Sequence, residues 1–277
     1  MRIAINPQIN MQKPFFTSSH RETGTIEEGT LNRNTTAFFR RDLAWNDFAD
    51  LLVEKYKNKD KVNIYCYACS DGSEPYSVAM LLISRLGLEG AKKFFPIIAV
   101  DSDDYYFDEA RKGNVKVNQG DAGAIGNKTG SDYKNYKKYI DINYDNYEKV
   151  DGYYYYNAKV KDFVRNSVVF KTGDIKKDIE KLNNPNTVLM FRNAFEYFDS
   201  QKAREEFIKN SRKNLGKNSV FVIGNCDRNY EIDKLLLSNG FKDPETCCWN
   251  CYTNPSFTGD KSSNNPQYLQ SVFIKSS

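Results

Sequence analysis

Residues 62–86 read VNIYCYACSDGSEPYSVAMLLISRL: a β-branched and aromatic run, a polar loop, then apolar residues at helical spacing. Strand, tight loop and helix in that order open a βαβ unit, and in α/β proteins that loop is where nucleotides bind. The loop ACSDGSEPYS (68–77) holds one glycine, Gly72, where dinucleotide and phosphate loops carry two or three. Pro75 occupies a favoured first helical position, and Glu74 stands beside the positive helix end. Local sequence alone reads Glu74 as a helix-capping acid; a ligand-gripping carboxylate is the alternative.

The alternation continues outward from this unit. Strand-like runs occur at 62–68, 94–100, 167–172, 187–191 and 218–224, and helical patterns at 42–57, 75–88, 103–112, 175–182, 200–214 and 229–239. Such a series requires a mostly parallel sheet with helices on both faces. Near the C-terminus, ETCCWNCYT (245–253) and QYLQSVFIKSS (267–277) are two strand-like runs with no helix between them, and they predict an antiparallel closing hairpin. The fold class expected is α/β, a Rossmann-like seven-stranded sheet of the S-adenosylmethionine (SAM)-dependent methyltransferase layout. Residues 1–33 are polar and irregular and are expected to form an arm, with the domain over 34–277.

Residues 114–166 do not fit a helical crossover. They are rich in Tyr, Asn, Lys and Asp, and Asp151-Gly152 lies between two tyrosine-bearing runs, a two-residue hairpin signal. This segment reads as a small β insertion preceded by a short helix at SDYKNYKKYI (131–140). Its tyrosines describe either a solvated flap or a substrate-docking surface.

Composition narrows the chemistry. The 277 residues are 40% hydrophobic and 27% charged, with a net charge of +4 and no Lys/Arg block, so no nucleic-acid partner is implied. No apolar run reaches the length of a membrane span and no secretory h-region opens the chain, so a cytoplasmic protein that is not itself a membrane protein is expected. Cys66 with Cys69, and Cys247, Cys248 and Cys251, could supply four thiolates to zinc. Strand alternation and the distance along the chain favour buried thiols instead, and no metal site is expected. His20 is the single histidine, which leaves little room for imidazole catalysis.

Ligands of open α/β sheets sit outside the carboxyl ends of the strands. Those ends offer Glu74 after the first strand, Asp101 after the second, Asp174 after the third, and Arg192, Asn193 and Tyr197 after the fourth. Asp101 is placed to accept ribose hydroxyls and Asp174 an adenine amino group. An adenosine ligand without a glycine-rich phosphate cradle points away from NAD, FAD or ATP and toward SAM.

Four blocks carry a resemblance to a known family. NTTAFFRRD (34–42), ACSDGSEPYSVAMLL (68–82), AVDSDDYYFDEARKG (99–113) and FRNAFEYFDSQ (191–201) resemble, in order and spacing, the signature blocks of the CheR-type chemotaxis receptor methyltransferases. The resemblance covers about residues 34–225. It implies that Glu74 holds the amino group of the methionine moiety, that Asp101 binds the ribose, and that Asp174 and Ile175 contact the adenine. By the same resemblance, Asn34, Thr36 and Arg40 approach the cofactor, Arg192 and Asn193 line the site, and Tyr197 faces the transferring methyl. The catalytic pair implied is Arg40 and Tyr197, although Arg40 read alone is a surface arginine. The acceptor implied is a glutamate on a protein partner such as a chemoreceptor. The products are then a methyl ester and S-adenosylhomocysteine. A methyltransferase with another acceptor, or a non-catalytic module sensing SAM or its product, are the competing readings. The chain departs from the family pattern in four places: 33 residues precede Asn34 where a helical domain is usual, Asp174 stands where many relatives have asparagine, GNCD (224–227) replaces Gly-His-Ser-Glu, and Glu196 stands where an apolar residue is usual.

Overall fold

A computed structural model of the chain describes residues 36–129, 136–150, 153–242 and 272–275. In chain order the regular elements are α1 (Trp45–Lys55), β1 (Asn63–Tyr67), α2 (Ser73–Ala91), β2 (Ile97–Asp101) and α3 (Phe107–Lys112). Then follow β3 (Asn114–Asn118), α4 (Gln119–Lys128), β4 (Ile140–Val150), β5 (Tyr153–Val160), α5 (Asp162–Arg165), β6 (Val168–Thr172) and α6 (Ile175–Asp178). The last part contains β7 (Thr187–Phe191), α7 (Gln201–Asn214), β8 (Val220–Ile223), α8 (Tyr230–Ser238), β9 (Phe241–Lys242) and β10 (Val272–Lys275).

The main sheet has seven strands in the order β6-β2-β1-β7-β8-β10-β9. From β6 to β8 every pairing is parallel, and β10 runs antiparallel to both its neighbours. The order reverses between β1 and β7, which opens a crevice above their carboxyl ends. The strands are short and apolar because both faces are covered, and every residue of β7 and β8 is buried. Alternation divides them: Val188 and Met190 join a core with Trp45, Phe48, Val78 and Phe107, while Leu189 and Phe191 join another with Ile179, Phe207 and Ile232. Thus α1, α2 and α3 cover one face, and α6, α7 and α8 the other.

An antiparallel closing pair forms, and β10 lies within the expected run 267–277. β10 pairs with Phe241–Lys242, a few residues before the expected partner run at 245–253, which lies outside the described residues. Cys247, Cys248 and Cys251 lie outside them as well, whereas Cys66 and Cys69 are buried thiols whose pKa burial raises. The segment 1–35 is likewise outside the described residues.

Within the expected insertion a second sheet forms, ordered β3-β5-β4 and antiparallel throughout. Val150 pairs with Tyr153, so the strands flank the expected hairpin turn, whose residues 151–152 are outside the described set. Of the short helix expected over 131–140, Tyr136–Lys138 forms one 3-10 turn, and 131–135 are not described. Helix α4, QGDAGAIGNK, was not expected. Its three glycines weaken intrinsic helix propensity, and it is held by an Asn118 side-chain cap and by burial of Ala122 and Ile125.

Candidate active site

The carboxyl ends of β1, β2, β6 and β7 surround a cleft of about 260 Å³. Its floor is set by the loop after β1. Ala68 and Ser70 adopt left-handed backbone conformations (φ 56° and 49°), as does Gly72 at φ 88°. A Cβ on Gly72 would stand 2.7 Å from the Phe170 ring, so the loop's single glycine meets both a backbone and a packing demand. Helix α2 starts at Ser73, and Asp71 accepts a hydrogen bond from the Ser73 N–H at 2.9 Å. Glu74 lies in this first turn, but its carboxylate is engaged by Arg192.

Glu74 belongs to a buried ion network. Arg192, with a side chain 1% exposed, donates from Nη1 to Glu74 Oε2 at 2.5 Å and from Nη2 to Asp42. Its guanidinium lies 5.2 Å from the Trp45 ring centroid. Burial by itself lowers the Arg192 pKa, but Asp42 and Glu74 outweigh it and raise the pKa further. For Glu74, burial wins and lifts the carboxyl above its usual range, with Arg192 opposing.

On the neighbouring strand, Asp101 is held from two sides. Its Oδ2 accepts from Ser70 N at 2.8 Å and its Oδ1 from Asp103 N at 3.1 Å. Burial raises its pKa against these backbone donors. After β6, Asp174 accepts from Lys176 N at 2.9 Å and so caps α6, while Ile175 offers an apolar wall. Tyr67, bonded to Asp178, closes the cleft beneath, and burial pushes its hydroxyl pKa up.

The wall above β7 depends on Asp227. This buried carboxylate accepts from the backbone N–H groups of Gly224 (2.9 Å), Phe195 (2.8 Å) and Asn193. It ties the loop after β8 to Asn193, whose φ of 56° places its side chain toward Asp42. Burial still raises the Asp227 carboxyl to about 6. Arg40 lies at the same side, with Nη2 3.9 Å from Cys226 Sγ and Nε 3.9 Å from Asp42 Oδ1. Tyr197, 48% exposed, stands at the rim.

Thr36, Arg40, Glu74 and Asp101 line this one cleft. So do Asp174, Ile175, Arg192, Asn193 and Tyr197, while Asn34 lies outside the described residues. Sequence reasoning passed over Asp42, Asp227, Ser70 and Tyr67. Asp42 ends the FFRRD run and Asp227 ends GNCD, but neither sits at an expected ligand position.

The donor set fits SAM. Two carboxylates, Glu74 in the first turn of α2 and Asp101 at the end of β2, line the cleft together with the apolar surface of Ile175 and Phe198, a set of the kind that an amine, hydroxyls and a base require. The loop holds one glycine where phosphate-binding loops carry two or three.

Residues 34–236 match the family described as "CheR methyltransferase, SAM binding domain". A chemotaxis protein methyltransferase of Borreliella burgdorferi is 26% identical over 203 residues, 71% of this chain and 65% of that protein. Chemotaxis protein methyltransferase 2 of Pseudomonas aeruginosa is 36% identical over 104 residues, 36% of this chain and 35% of the relative. The chain therefore spans about two thirds or less of the length of these relatives. The match to most of the chain, on the seven-stranded sheet and its cleft, makes this protein a member of the CheR methyltransferase SAM-binding family.

Proposed function

We propose that the chain is a SAM-dependent methyltransferase that esterifies a glutamate carboxylate on a protein, with a chemoreceptor as the partner class. The observation that carries the reading is the juxtaposition, in one cleft, of Glu74 and Asp101 with Arg40 and Tyr197 near the mouth. Bound SAM supplies an electrophilic methyl on a cationic sulfur. That methyl would pass to the acceptor carboxylate and leave S-adenosylhomocysteine, so the chain's residues would have no proton to move. A carboxylate is already ionised at neutral pH, so the cleft needs placement and water exclusion and no general base. Glu74 holds the amino group and Asp101 the ribose. Arg40 clamps the acceptor carboxylate through charge-assisted hydrogen bonds, and the Tyr197 hydroxyl orients it. Ile175 and Asp174 border the adenine. Among the described residues no helix is long and apolar enough to cross a membrane, and a cytoplasmic enzyme reaching a receptor's cytoplasmic face fits that.

The test has two arms. Titration calorimetry with SAM and with S-adenosylhomocysteine should show micromolar or tighter binding. Labelled-methyl transfer into a lysate should give base-labile label, and both Arg40→Ala and Tyr197→Phe should reduce it. Base-stable label would overturn the carboxylate acceptor, and no binding of either ligand would overturn the methyltransferase reading.

A further inference from the structure

Asp42 takes no part in the proposed reaction, yet three residues of the cleft converge on it. It is buried in the turn that leads from the FFR run into α1, and its two oxygens have different partners. Oδ1 accepts from Arg192 Nη2, and Arg40 Nε stands 3.9 Å from the same atom. Oδ2 accepts from Asn193 Nδ2 at 2.7 Å. The other arm of Arg192, Nη1, is the one that reaches Glu74 Oε2.

A guanidinium is a planar fork that matches a carboxylate with two parallel N–H···O bonds. Beside Glu74 that paired geometry would engage both carboxylate oxygens and fill the place an incoming ammonium needs. Here the fork is split between two acids. Trp45 beneath the guanidinium adds to the constraint, and its Nε1 donates to Arg40 O at 2.8 Å, so the same turn fixes both arginines.

We infer that Asp42 is a positioning residue for cofactor binding: by holding the second arm of Arg192 it keeps Glu74 open to the amino group of SAM. The inference rests on the methyltransferase reading. It makes a specific demand, because the effect of Asp42 must pass through Glu74.

The experiment is a double-mutant cycle read by titration calorimetry with S-adenosylhomocysteine, using the whole chain. Asp42→Asn should weaken binding at least about tenfold, since one charge-assisted hydrogen bond to the amine is compromised. Asp42→Glu should restore part of that loss. In a Glu74→Gln background, Asp42→Asn should add less than about twofold, because Arg192 then has no competing carboxylate to close on. Asp42→Ser, which keeps an acceptor for Asn193, carries the same expectations if Asp42→Asn does not fold. Unchanged affinity in the Asp42 variants, or an equal loss in the Glu74→Gln background, overturns the inference while wild-type binding upholds the methyltransferase reading. A wild-type chain that binds neither SAM nor S-adenosylhomocysteine overturns both.

Discussion

Arg192 Nη1 lies 2.5 Å from Glu74 Oε2, joining the loop after β7 to the first turn of α2 across the point where strand order reverses. Because the guanidinium also serves Asp42, removing it strands two acids in a buried place. Arg192→Met should therefore cost about 3–5 kcal/mol of stability, the range for breaking a buried ion network by deleting one partner. Urea unfolding followed by circular dichroism measures it. A loss under about 1 kcal/mol would mean that water enters and solvates the acids.

Glu74→Gln tests the same contact from its other end. Arg192 retains Asp42, so stability should change by less than about 1.5 kcal/mol. Affinity for S-adenosylhomocysteine should fall about 10- to 100-fold, the worth of a charge-assisted hydrogen bond to an ammonium. Calorimetric titration separates the two effects.

Asp121 gives a pH prediction. Burial, with the charge of Asp71 added, raises this carboxyl to about 8 from the ordinary 3.8, against hydrogen bonds from the backbone of Phe38 and Asn118. Between those values the native state holds a proton that the unfolded chain has lost. The stability contribution of Asp121 is thus full below pH 3.8 and declines as pH rises toward 8. Asp121→Asn removes this titration and leaves all others. From pH 5 to pH 8 the wild-type Tm should fall, relative to that of the variant, by at least about 2–4 °C. Parallel Tm profiles would show Asp121 ionised throughout.

Gly72→Ala should destabilise by about 2 kcal/mol or more. A left-handed φ of 88° penalises any Cβ, and this one would meet the Phe170 ring at 2.7 Å. Since Ser70 N–H in the same loop holds Asp101, cofactor affinity should fall as well. Thermal melts and calorimetry on the same sample check both.

Much of the fold was legible in the sequence because it repeats a local signal. The runs VNIYCY, TVLMF and NSVFVIG are short and apolar, each bounded by polar loops, and helical spacing follows them. Burial on both faces of a parallel sheet produces that pattern, so a mostly parallel sheet with helices on both faces could be anticipated from the alternation, while the strand order came from the structure. Helix α4 was illegible, since three glycines hide it and tertiary burial of Ala122 and Ile125 holds it in place. The Phe241–Lys242 partner of β10 was missed for a similar reason: two residues carry no periodicity.

For the site, the sequence by itself determined which residues stand at the strand ends, because a parallel sheet delivers every post-strand loop to one edge. Glu74, Asp101, Asp174 and Arg192 were assigned to the cleft on that ground. Only the tertiary structure decided what each does with its charge. Glu74, locally a helix-capping acid, is engaged by Arg192, and the first helical N–H, that of Ser73, is taken by Asp71. Asp42 and Asp227 acquired their parts only when residues 150 and 34 positions away folded against them. Hydrogen bonding and burial act over a few ångströms in space, and a one-dimensional pattern records neither.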